Sequence, residues 1–158
     1  MTRLYGRALT TERVNDYVPD VRFERTSIIS ALGVDGVSAP IMFKGTLDGH
    51  FFGGYVEQVL APSLSPGDIV IMDNCSAHKV NGVLDPIYRA GASVWFLPEY
   101  SPDLNPIELM WSKIKSILRK LKPRTFDDLL EATAFALDSV TLDDILGWFS
   151  YHGYCVNV

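Results

Sequence analysis

The chain lacks most of the features that mark specialised protein classes. Only two cysteines occur in 158 residues, Cys75 and Cys155. They are too few and too far apart for a zinc ribbon or a disulfide framework, so a reduced, cytosolic compartment is the expectation. No run approaches the roughly 18 consecutive apolar residues of a membrane span. The opening residues, MTRLYGRALTTERV, hold no apolar stretch of the signal-peptide kind. A basic excess is missing as well: Lys and Arg number 14 against 19 Asp and Glu, for a net charge of −5. That balance argues against a stand-alone nucleic-acid binder, yet it leaves room for a local basic face, because steering depends on where the charges lie. Internal repeats and low-complexity tracts are also absent.

What is present is an ordinary globular composition, 47% hydrophobic and 21% charged, in a chain long enough for one domain with a sizeable core. Residues 1–25 are polar and arginine-bearing without periodicity, and read as a loop or irregular strand. From Ser27 the pattern sharpens. SIISALGVDG and VSAPIMFKGT flank an Asp35-Gly36 turn and predict a hairpin. Phe51, Phe52, Tyr55, Val56, Val59 and Leu60 recur at helical spacing before Pro62. DIVIMDN and ASVWFLP read as two short buried strands, the second placing Trp95 in the core. Between them KVNGVLDPIYRAG predicts a helix with Pro86 in its interior and Gly91 at its C-cap. A longer helix runs from Pro106 to about Leu121, with Ile107, Met110, Ile114, Ile117 and Leu121 on its apolar face and Trp111 also in the core. Thr125 with Asp128, and Thr141 with Asp144, fit capping boxes for two more helices. Hairpin, helix, strand, helix, strand, helices is the order of a layered α/β domain whose later strands run parallel.

Functional groups in open α/β sheets gather at the carboxyl ends of the strands, and Asp73 sits there, directly after Ile69–Met72. By itself Asp73-Asn74 reads as a turn. Glu108 by itself reads as the third residue of an Asn105-x-x-Glu108 capping box, with Pro106 at the first helical position. Taken together they point elsewhere. Adjacent parallel strands lie about 4.8 Å apart, and the proline-stiffened PEYSPDLNP connection can carry the helix start over the strand ends, so that both carboxylates face one pocket. Such oxygens are hard ligands of the kind Mg²⁺ or Mn²⁺ prefers. A pair of these ions about 3.5–4 Å apart can hold the attacking and leaving oxygens of a phosphoryl displacement, given a further bridging carboxylate.

DIVIMDNCSAH and FLPEYSPDLNPIELMWSKIK, with 34 residues between Asp73 and Glu108, resemble the catalytic core of DDE transposases. The likeness is to the mariner-like branch and its bacterial insertion-sequence relatives, and GWFSYHGY near the C-terminus fits it too. The resemblance covers essentially the whole chain. It implies a ribonuclease H-like fold, a layered mixed sheet with helices, and metal-dependent DNA strand cleavage and strand transfer at transposon ends. It makes Asp73 and Glu108 the second and third acids of a triad and metal ligands, with Mg²⁺ or Mn²⁺ as cofactor and DNA as partner. Asn74, His78 and Asn105 would lie beside the site. The family's first aspartate precedes a segment like TRLYGRA, and no residue here matches it: Asp16, Asp20, Asp35 and Asp48 all lie beyond that point. The resemblance therefore implies that residues 1–158 are one partial catalytic domain of a bacterial cytoplasmic protein. The first strand and an N-terminal helix-turn-helix would be encoded elsewhere, whether through decay, frameshifting or a misassigned start. The alternative is a catalytically inactive remnant that binds DNA or pairs with intact transposase, with an upstream segment or a second copy as partner.

Lys113, Lys115, Arg119, Lys120 and Lys122, with Arg124 beyond, form a run uninterrupted by acids. Its functional reading is a DNA-phosphate face; its bland reading is a solvated helix face complementing the dipole. Nothing around Cys75 suggests a low-pKa nucleophile, and Arg3 and Arg7 read as a solvated tail.

Overall fold

The computed structural model describes residues 25–155; the expectations for residues 1–24, including Arg3, Arg7, Asp16 and Asp20, lie outside them. The hairpin is present as β1 (Thr26–Gly33) and β2 (Gly36–Lys44), antiparallel, with the expected Asp35-Gly36 turn. Its register breaks between Ile29 and Ala31. Opposite the break, Ala39 adopts φ 51°, and the Tyr55 hydroxyl donates to the Ala39 carbonyl at 3.0 Å. That bond satisfies a main-chain acceptor that the disturbed ladder leaves unpaired. Burial pushes the Tyr55 hydroxyl's pKa up to about 12, so it stays a donor across the physiological range.

The hairpin carries two cores, one on each face, because side chains alternate along a strand. Ile29, Ala31, Ala39 and Ile41 pack against a cluster built on Phe52, Tyr55, Val56, Leu60, Met72, Val83 and Ile87. Leu32 and Val37 pack against a second cluster built on Met110, Ile114, Leu118, Ala132 and Ala136. Burying an aliphatic side chain of this size contributes about 1.5–3 kcal/mol.

Asp48 caps α1 (Gly49–Tyr55), its Oδ1 accepting from the Phe51 amide at 2.8 Å. The helix then widens to a π turn over Val56–Leu60 and tightens to a 3₁₀ turn over Ala61–Ser63, where Pro62 ends it. β3 (Ile69–Met72) and β4 (Ser93–Phe96) pair in parallel, as the order of elements predicts. α2 is only Asp85–Arg89, with Pro86 in its first turn rather than its interior; the residues before it are turns. Gly91, at φ 81°, leaves the helix in the left-handed region where glycine is unstrained. α3 (Ile107–Leu121), α4 (Phe126–Asp138) and α5 (Leu142–Tyr151) complete the chain, and both predicted capping boxes are formed.

Two expectations about burial need correction. β4 is not a buried strand: Trp95 is 60% exposed and Phe96 also faces outward, while Ile69 on β3 is exposed. Among the described residues the β3–β4 sheet is two strands wide, and no described element covers the face of Trp95. On α3, Leu118 rather than Leu121 completes the buried stripe, since four-residue steps from Met110 through Ile114 lead to Leu118. Trp111 does pack against the second cluster, half-buried. No helix of the described residues is long and apolar enough to cross a membrane.

Candidate active site

The parallel ladder continues past the strands: the Leu97 amide donates to the Met72 carbonyl at 2.8 Å. Two residues beyond Met72, the Asn74 side-chain amide donates to the carbonyl of the same Leu97. Asn74 thus ties the ends of β3 and β4 together beside Asp73. The Asp73 carboxylate is fixed from two sides. Its Oδ1 accepts from the Cys75 amide at 3.0 Å and lies 2.9 Å from His78 Nδ1. The same Nδ1 is 3.2 Å from the Asp73 carbonyl. Both neighbours are acceptors, so Nδ1 carries the proton and donates. The His78 ring rests on Phe52, centroids 4.3 Å apart, and its side chain is 17% exposed against 60% for Asp73. A mostly buried imidazole thus orients an open carboxylate through Oδ1, and no described residue bonds Oδ2.

The connection from β4 to α3 is pinned at successive points. Ser101 Oγ donates to the Glu99 carbonyl at 3.3 Å. A 3₁₀ turn spans Pro102–Leu104, and the Tyr154 hydroxyl, from beyond α5, donates to the Leu104 carbonyl at 3.0 Å. Tyr100 adopts φ 58°, a left-handed conformation that costs a non-glycine residue about 1–2 kcal/mol.

The Asn105–Glu108 capping box does not form. Pro106 occupies the cap position with helical backbone angles, and no side chain caps the helix. Asn105 Oδ1 reaches only the Ile107 amide, at a long 3.4 Å. Glu108 does not fold back, and among the described residues nothing pairs with its carboxylate. It lines a cavity of about 330 Å³ together with Asp73, Asn74, Cys75, Asn105 and the Leu97–Pro102 loop. The two acids singled out from the sequence therefore face one pocket. His78 stands behind Asp73 rather than in the lining. Cys75 lines the cavity next to Asp73, as its place in the sequence suggests; Glu99 and Tyr100 were not foreseen there, although the stretch Pro98–Pro102 between two prolines was a signal that this loop holds a fixed shape. Glu99 turns to Lys79 at 3.8 Å. No group of three or more His, Cys, Asp or Glu side chains converges as a metal site among the described residues.

The predicted basic run divides. Lys113 is drawn into the fold, donating to the Ser139 carbonyl at 2.8 Å and to the Asp144 carboxylate. Lys115, Arg119 and Lys120 are exposed on α3. At 100° per residue, Lys115 and Arg119 lie within about 20° of Glu108 around the helix, roughly 10 Å and 16 Å further along it. Lys120 lies about 120° away from that face. Lys122 ends the helix at φ 52°.

Solved structures share this fold. The Mos1 strand transfer complex matches with a TM-score of 0.73 at 15% identity, over 96% of this chain and 46% of that one. The Mos1 mariner paired end complex with Mn gives 0.71 at 14%, over 96% and 47%. The Mos1 paired-end complex with the left transposon end gives 0.69 at 14%, over 98% and 52%. The chain thus spans about half the length of these proteins, and its fold is the ribonuclease H-like mixed α/β fold. No curated protein matches its sequence significantly. A sequence profile described as DDE superfamily endonuclease matches residues 1–130. The chain belongs to the DDE superfamily of endonucleases.

Proposed function

We propose that residues 1–158 form the carboxyl-terminal part of a catalytic domain that cleaves and joins DNA strands at transposon ends with the help of divalent metal ions, its first aspartate supplied from outside these residues. The observation that carries this reading is the shared cavity: Asp73 at the end of a parallel strand and an unpaired Glu108 at the start of α3 open onto one space. The donor set fits a hard cation. Asp73 presents Oδ2, its other oxygen already fixed by His78 and Cys75, and Glu108 presents both oxygens. Mg²⁺ or Mn²⁺ held there would supply Lewis-acid activation of a phosphodiester and of the attacking hydroxyl. The chain's own part is to hold the two carboxylates in register, with Asn74 fastening the strand ends and Asn105 beside Glu108. Lys115 and Arg119 extend the Glu108 face as phosphate contacts, so a DNA backbone entering the cavity meets positive charge along α3. Complexes with transposon ends and with Mn are known for the Mos1 structures, and both partners suit this site.

A second reading, DNA binding without cleavage, is favoured by one observation: no third acidic ligand joins Asp73 and Glu108 among the described residues. Nicking of supercoiled plasmid in Mn²⁺ separates the two. The catalytic reading expects nicking, by the chain completed with a strand that supplies the first aspartate, that is lost in Asp73→Asn and in Glu108→Gln, both of which still shift duplex DNA at low salt. DNA binding without any nicking selects the second reading. Nicking that persists in both variants sinks the first.

A further inference from the structure

Tyr100 is the most exposed large hydrophobic side chain among the described residues, at 99%. Tyrosines are ordinarily half-buried, because the ring is apolar and only the hydroxyl seeks water. Here the ring touches nothing that would repay its position, and no described residue bonds its hydroxyl. Its backbone is held at φ 58°, in a loop fixed by Pro98, by the Pro102–Leu104 turn and by the Tyr154 bond to Leu104. A strained, immobilised residue presenting a bare aromatic face is one that the fold holds in place for a contact outside itself. The contact is local to the site, since Tyr100 lines the same cavity as Asp73 and Glu108.

We infer that Tyr100 is a stacking platform for an unpaired nucleobase at the rim of the carboxylate cavity. The inference rests on the DNA-processing reading above and adds the form of DNA that the site takes. Bases in a duplex present no free face to a side chain at the groove edge. An unstacked base next to the scissile phosphate does, and any base can use an aromatic platform because every base has a π face. With the scissile phosphate at the two acids and their cation, a ring at the rim of the same cavity is placed to meet the adjoining base. Lys115 and Arg119, further along α3, take the phosphates.

The test uses the full chain in Ca²⁺, with a short single-stranded oligonucleotide containing ethenoadenine, whose fluorescence reports stacking, and a duplex of the same length. Tyr100→Ala is predicted to weaken single-strand binding about tenfold, within the roughly 5- to 150-fold that one lost stack represents, and to abolish the fluorescence change. Tyr100→Phe and Tyr100→Trp are predicted to retain both, and duplex affinity is predicted to be unchanged in all three. Since the side chain packs on nothing, all three should unfold at the wild-type temperature. Wild-type affinity in Tyr100→Ala overturns the inference, as does a Phe variant as weak as Ala, or a wild type that binds no single strand. A parallel titration with Mn²⁺ alone distinguishes the failures. If Mn²⁺ binding depends on Asp73 and Glu108 but single-strand binding ignores Tyr100, the stacking role falls and the metal-dependent reading stands. If neither Mn²⁺ nor DNA binds, both fall.

Discussion

Asp73 is held by its neighbours more firmly than its exposure suggests. A carboxylate at a strand end has free rotation unless something fixes it, and here the Cys75 amide and the His78 Nδ1–H share Oδ1. That arrangement leaves the other oxygen without a partner among the described residues, as supporting partners of metal ligands do elsewhere. His78→Phe keeps the ring on Phe52 but removes the donor. It is predicted to lower Mn²⁺ affinity about tenfold without lowering the thermal midpoint, measured by titration and by melting the same samples. His78→Asn, which can still donate to Asp73, should recover part of the loss. Equal affinities in all three proteins would mean that His78 only fills space. Asp73 was legible from its place after an apolar strand. For His78 the sequence left several roles open, orienting Asp73 among them, because a histidine five residues on reaches Asp73 only through the 3₁₀ turn over Ser76–Lys79, and such a short turn leaves no periodicity to read.

Helix ends decide which of the predicted acids are structural. Asp128 and Asp144 accept from Thr125 and Thr141 in closed capping boxes, and hydrogen bonds from Thr125 lower the Asp128 pKa. Glu108 has the same sequence signature but sits on a helix whose cap position is taken by Pro106, so its carboxylate remains available to the cavity. Asp144 does more than cap. Its bond from Lys113, with that from the Thr141 amide, holds its pKa down at about 2, which joins α3 to the start of α5. A carboxyl whose folded pKa lies below its unfolded value stabilises fully above the unfolded value of about 4. That stabilisation is lost as pH falls through the folded pKa. Asp144→Asn and Lys113→Met are therefore each predicted to destabilise the chain at neutral pH by about 1–2 kcal/mol, the position being partly exposed. The difference from wild type should shrink between about pH 4 and about pH 2, as seen by urea unfolding at a series of pH values. A gap that stays constant across that window would contradict the assignment. The sequence placed Lys113 among DNA contacts because composition along one helix does not reveal which neighbour a lysine will meet. Its partner comes from an element 31 residues away.

Across the whole molecule, two cores meet on the hairpin, and the cavity opens at the ends of a separate parallel pair. The elements came through in the sequence wherever local chemistry determines them: the Asp-Gly turn, the capping boxes, the proline stops and the four-residue stripe of α3. Burial did not come through for β4. A run such as SVWF reads the same whether or not something covers it, and Trp95 is exposed because covering is a property of neighbours. Nor could sequence show whether the proline-rich loop brings Glu108 to Asp73. Spacing allowed it, but only the folded loop, with Tyr154 holding Leu104, displays both acids on one cavity. That convergence is what would let one metal ion bridge the two acids. Its most direct test is calorimetric titration of Mn²⁺ into the full chain and into Asp73→Asn, Glu108→Gln and the double variant. Two ligands of one ion are not independent. Each single change is therefore predicted to weaken binding at least about tenfold, with the double variant little worse than either. Wild-type affinity in both single variants, or losses that simply add, would show that Asp73 and Glu108 do not share a metal.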